Sequence, residues 1–139
     1  MEAHIEYISF NNDKNIDELL YNIDLYKFRL KELRSELTFC KFLIETNIFN
    51  PRAMNLFETL AIYREKIDLY INTLEHLLAD LINHTNNISN KIECDDLDCD
   101  AFFIKKQDKL EKRAFDFLVE VNDFKSKLFE YLQITIKRT

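Results

Sequence analysis

Glycine and tryptophan are absent from the 139-residue sequence, and proline occurs once, at Pro51. The missing glycine removes a class of chemistry. A phosphate-cradling P-loop, a dinucleotide fingerprint and a nucleophile elbow all place glycine where the backbone takes positive φ or touches a ligand. None of them can be built here. Ordinary all-β and α/β domains also draw on glycine and proline for their turns, which leaves an all-α chain as the expectation. No apolar run approaches the roughly 20 residues of a membrane span. The opening Met1-Glu2-Ala3-His4-Ile5-Glu6 has neither the basic nor the apolar region of a secretory signal. Basic charge is in short supply, with 19 Lys and Arg against 25 Asp and Glu and a net charge of −6. That balance lacks the footprint that nucleic acid or an anionic membrane surface selects. The three cysteines, Cys40, Cys94 and Cys99, cannot all pair, and Cys40 falls inside an apolar helical pattern. Free thiols in a reducing cytoplasm fit this usage.

What the chain does have is helical periodicity. Ile16, Leu19, Ile23, Tyr26, Leu30, Leu33, Leu37, Cys40 and Ile44 recur at alternating spacings of three and four, a pattern that only a helix aligns on one face. Asn15 with Glu18 three residues on reads as a capping box, so the first helix is predicted over about 16–46. Lys31, Glu32, Arg34 and Glu36 lie off the seam and should be solvated. Thr46 to Pro51 breaks the pattern, with Asn50 as N-cap and Pro51 at the first helical position. The second helix, about 51–92, carries Leu56, Leu60, Tyr63, Ile67, Tyr70, Leu74, Leu77 and Leu81, widened by Phe57, Ile71 and Leu78. A stripe this wide fits packing against two neighbours. From Asn83 to Asn90 strong helix formers are scarce, which predicts fraying or a bend, although Ile88 and Ile92 keep the period.

An acidic loop, Glu93 to Asp100, comes next, and Asp98 or Asp100 is the expected cap of a third helix over about 101–136. Its core face is Phe103, Leu110, Ala114, Phe117, Val121, Phe124, Leu128 and Tyr131, with Leu118 and Leu132 alongside. Ile5, Tyr7, Ile8 and Phe10 fit either a short fourth helix or an extended arm. The fold class expected is therefore an all-α antiparallel bundle of three long helices in a single domain, residues 1–139. Each rod is about 45 Å or longer at 1.5 Å per residue, and the short connections make neighbours antiparallel.

Candidate sites are few. His76, Asp80 and His84 are spaced by four and share a helix face; two imidazoles and a carboxylate suit zinc, and would make a metal-dependent bundle enzyme. The plainer reading is an exposed polar strip with no metal. Cys94 and Cys99 flank acidic residues without a second cysteine pair. Asp96, Asp98 and Asp100 open like a calcium loop, but Ala101 stands where glycine must turn and Gln107 where the bidentate glutamate belongs. Lys105, Lys106, Lys109, Lys112 and Arg113 form a basic cluster suited to an acidic protein partner, or to local charge compensation on a solvated face. No nucleophile stands in a recognisable motif with a base, so neither an enzyme nor a cofactor is expected.

The stretch from Leu30 to Leu43, LKELRSELTFCKFL, resembles the leucine-rich helices in the N-terminal regions of plant intracellular NLR immune receptors. From Asn50-Pro51 through Leu77-Leu78-Ala79-Asp80-Leu81 the chain is similar to the extra N-terminal domain of solanaceous receptors. The acidic Glu-Asp-Val-Ile-Asp type of motif of the standard coiled-coil domain is missing. The resemblance implies a regulatory or recognition domain that engages a pathogen effector, a host protein or other domains of its own receptor. It carries over no catalytic residue. The alternative is a small viral or bacterial helical protein that binds a host or cognate factor. In either case the heptad regularity of the first helix would serve a homodimeric coiled coil as readily as an internal seam.

Overall fold

The computed structural model describes residues 5–90 and 97–138, with the backbone alone for 97–100. Three helices account for most of it: α1 (Ile16–Glu45), α2 (Leu56–Asn90) and α3 (Leu97–Thr135). The fold is the expected all-helical bundle.

The start of α1 follows from local chemistry. The Asn15 side chain accepts from the Glu18 amide at 2.9 Å while the Glu18 carboxylate accepts from the Asn15 amide at 3.3 Å, completing the capping box. At the other end Thr46 leaves the helix in an extended conformation, and its hydroxyl donates to the Phe42 carbonyl at 2.7 Å. The entry to α2 differs from the sequence expectation. Asn50 caps a turn instead of the helix, its side chain accepting from the Arg52 amide at 3.0 Å. Pro51 lies in that turn, and α2 begins five residues later, at Leu56. Asn55, at φ 54°, makes the final corner. In a chain without glycine, asparagine is a residue that tolerates this left-handed conformation.

α3, by contrast, starts earlier than expected, at Leu97. Asp98 and Asp100 fall within its first turn, so neither is the cap. Ile92, Cys94, Asp95 and Asp96 lie outside the described residues, and so do the side chains of Cys99, Asp98 and Asp100. Residues 5–15 contain no helix: the N-terminal segment is an arm, not a fourth rod. The polar Asn83–Asn90 stretch neither frays nor bends out of the helix. Burial of His84 and Ile88 continues the apolar line and holds it.

Ion pairs set out the topology. As the α1 partner advances from Arg34 to Lys41 to Glu45, the α2 partner retreats from Glu75 to Asp68 to Arg64, residue for residue. The two helices are therefore antiparallel. Between α2 and α3, Asp80 meets Arg113, while Tyr70 packs on Phe117 and Phe124, and Tyr63 on Phe124 and Tyr131. That pair is antiparallel as well, which leaves α1 and α3 parallel. The buried side chains of all three helices form one cluster, centred on Ile23, Leu30, Leu37, Ile67, Leu74, Val121 and Leu128. Phe57, expected to widen the α2 stripe, is instead 80% exposed; Ile71 and Leu78 do pack inward.

Leu74 is wholly enclosed at the middle of α2. Leu74→Ala removes buried methylenes and leaves a cavity between three rigid rods, so denaturant unfolding should register a loss of about 2–5 kcal/mol.

Candidate functional site

The residues marked out in the sequence do not converge. His76 is exposed on α2, Asp80 is engaged by Arg113 of α3 at 3.0 Å, and His84 is buried. The polar-strip reading thus fails at His84, which points into the bundle because the α2 core stripe drifts around the helix over its length. Among the described residues no group of three His, Cys, Asp or Glu could hold a metal ion. Lys105, Lys106, Lys109, Lys112 and Arg113 are all exposed on α3; Arg113 reaches α2, while Lys112 borders the groove between α1 and α3. Lys112 pairs with Asp116 at 2.7 Å and Arg113 with Asp80, so part of the cluster is compensated within the chain. Cys40 is a free, buried thiol, and burial raises its pKa.

His84 belongs to a buried polar cluster that joins the arm, α1, α2 and α3. Glu111 accepts from the Asn11 side-chain amide at 2.6 Å and from that of Gln107 at 2.9 Å. The Asn11 amide donates its second hydrogen to Asp108 at 2.7 Å, and the Ser9 hydroxyl donates to the same carboxylate oxygen. The Gln107 amide donates also to the Leu19 carbonyl of α1 at 3.0 Å. These acceptors fix the orientation of both amides, since a flipped amide would set oxygen against oxygen. With its NH2 so committed, Gln107 offers only its oxygen to His84 Nε2, at 3.3 Å. His84 therefore carries its proton on Nε2, and its Nδ1 has no partner among the described residues. Burial lowers the His84 pKa below the ordinary 6.5, and nearby Lys106 adds to this against the Gln107 hydrogen bond.

The arm continues from this cluster along the groove between α1 and α3, where Tyr7 packs on Phe115 with ring centroids 5.8 Å apart. Beyond it the groove stays open, about 1150 Å³, lined by Arg29, Glu32, Glu36, Phe115 and Lys125 among others. Its lining mixes charge of both signs and converges on no single point.

The outer face of α1 is of another kind. Tyr21, Leu25, Phe28, Phe39 and Phe42 are 40–64% exposed, and they lie along one line opposite the buried seam. Their positions follow the three-and-four spacing too, with Glu32 and Ser35 filling the two middle places. Ile8 and Phe10 of the arm share a groove of about 410 Å³ with Leu25 and Tyr26, which extends the apolar surface at one end. A helix that is apolar on two opposite faces has only one of them buried by its own chain.

No protein-family model, curated protein or solved structure matches this chain. The α1 stripe therefore stands on its geometry. Sequence reasoning that followed a single seam passed over it, although the second line of aromatic residues has the same period. The buried polar cluster left a fainter signal: Gln107 and Glu111 are polar residues at core-period positions of α3.

Two outcomes follow from the cluster. Unfolded His84 takes up a proton near pH 6.5 that the folded chain resists, so stability is complete above that pH and declines as pH falls below it. Thermal melts across pH 5–8 should show this decline, and His84→Gln should flatten it. Asn11→Ala takes from two carboxylates the donor they share, and denaturation should show a loss of about 1–3 kcal/mol.

Proposed function

We propose that this chain is a non-catalytic helical module for protein–protein interaction, and that it docks through the outer face of α1. The observation that carries the reading is the exposed line Tyr21, Leu25, Phe28, Phe39 and Phe42. Scattered exposed hydrophobic residues need no explanation, but five aligned on one helix face, in two groups on either side of Glu32 and Ser35, mark a surface that another protein covers. Aromatic side chains dominate this line, and they are the residues that supply most energy at interface centres. No helix among the described residues is long and apolar enough to cross a membrane. The buried thiol of Cys40 accords with a reducing compartment, and the proposal places the protein in the cytoplasm.

The likeness of Leu30–Leu43 to NLR helices supports a finer reading, a recognition or regulatory domain of a plant immune receptor. Its partner would then be an effector, a host protein or a neighbouring receptor domain. Phe39 and Phe42, inside that stretch, would belong to the docking line.

Site-specific photo-crosslinking tests the docking face. A benzophenone side chain at position 28 or 39 should yield discrete protein adducts in the native cellular setting, and the same probe at exposed Asn72 on α2 should not. Phe42→Glu should abolish the adducts without lowering the thermal midpoint. Absence of adducts at both α1 positions, or equal labelling from Asn72, overturns the reading.

A further inference from the structure

The outer line of α1 is its own complement. Set antiparallel to a second copy about a two-fold axis passing between Ser35 and Glu32, the line brings Phe28 against Phe39 of the other chain and Leu25 against Phe42, each contact occurring twice. At the axis Glu32 faces Ser35, so a carboxylate accepts from a hydroxyl in each of two symmetric polar layers, the kind of layer that fixes register. We propose that the covering partner is a second copy of this chain, joined through an antiparallel α1–α1 coiled coil. This rests on the docking face proposed above and names its occupant.

Charge and area both support the second copy. On the flank toward α3, Arg29 of one chain comes within a turn of Glu36 of the other, again twice. Glu36 already takes Lys125 of its own chain but remains half exposed, so it has room for a second cation. On the opposite flank Asp24 approaches Glu45, a like-charge pair. Each of these is neutralised in its own chain, Asp24 by Lys27 at 3.1 Å and Glu45 by Arg64 at 3.2 Å. The five apolar side chains offer on the order of 500 Å² per copy, given whole-ring areas of about 150–250 Å². The polar layers, the flanking charges and the adjoining Ile8 and Phe10 add to this toward the ~800 Å² per partner of a standard interface. Other α1 registers lose this match. Sliding one copy by a heptad sets an aromatic ring against Glu32 or Ser35.

Sedimentation of the purified chain at micromolar concentration should give a dimer, and the Phe28→Glu, Phe39→Glu double variant should give a folded monomer by circular dichroism. Arg29→Glu should weaken association about tenfold or more, and Arg29→Glu combined with Glu36→Arg should restore it. In a background lacking Cys40, Cys94 and Cys99, oxidising a mixture of Leu25→Cys and Phe42→Cys chains should join unlike chains, because like positions lie about 25 Å apart along the axis. A monomeric wild-type chain overturns the proposal, and so does a dimer in which Leu25→Cys chains join each other or the charge exchange fails to rescue. A monomer that still gives photo-adducts to a different protein leaves the docking face standing and removes only the second copy as its occupant.

Discussion

Ile23, Leu30 and Leu37 have no solvent exposure, and α2 and α3 both close over the line they form on α1. Each fully enclosed leucine or isoleucine contributes about 1.5–3 kcal/mol, and Ile67, Leu74, Val121 and Leu128 close the same core from α2 and α3. The ion pairs around the bundle are largely exposed and add little individually; their value is in reporting the register. Once this inner line is fixed, the rotation of α1 about its own axis is fixed too. The aromatic line on its far side then faces outward whatever its own preference for burial.

The buried polar cluster depends on the same packing. Without a rigid frame, Asn11, Gln107, Glu111 and His84 would be hydrated separately, and a half-formed network of this kind costs more than an apolar core. Held by three helices, it works as a chain of constraint. A carboxylate orients an amide, the amide orients an imidazole tautomer, and the arm is fastened to α3 where α1 begins. Asn11 is the one described arm residue that is fully buried, so this fastening has a single central point.

How much of this could be read from the sequence varies with the distance over which each feature is decided. The capping box at Asn15 and the seam from Ile16 to Ile44 depend on residues within one or two turns, and both stand where the pattern put them. The junction at Asn50-Pro51 is ambiguous because the same two residues serve a turn as well as a helix start; the turn forms beside Phe49, which is buried and bridged to Ile136. Asp98 and Asp100 fit a first turn as well as a cap, because acidic residues suit the whole first turn and not only its boundary. His84 is a polar residue in a polar stretch, yet its place between Leu81 and Ile88 continues the three-and-four spacing of the α2 core line, against which α3 packs. The outer line of α1 was legible all along in Tyr21, Leu25, Phe28, Phe39 and Phe42. A periodicity argument that stops at the first satisfactory face misses a second one.

The connection between α1 and α2 is tied to the far end of the chain. Phe49 and Ile136 form an isolated antiparallel bridge, in which the Asn50 amide donates to the Thr135 carbonyl at 2.8 Å and the Lys137 amide to the Ile48 carbonyl at 2.7 Å. Thr135 is one of the last helical residues, whose carbonyls lack partners within the helix. Its cap is thus supplied by a segment made more than eighty residues earlier. On the ribosome, the α1–α2 hairpin can assemble from local pairing, but the corner at Phe49 stays unsealed until the distal stretch around Ile136 has left the exit tunnel. The corner is therefore sealed only once that stretch has emerged, and a nascent chain stalled before that point would leave it open.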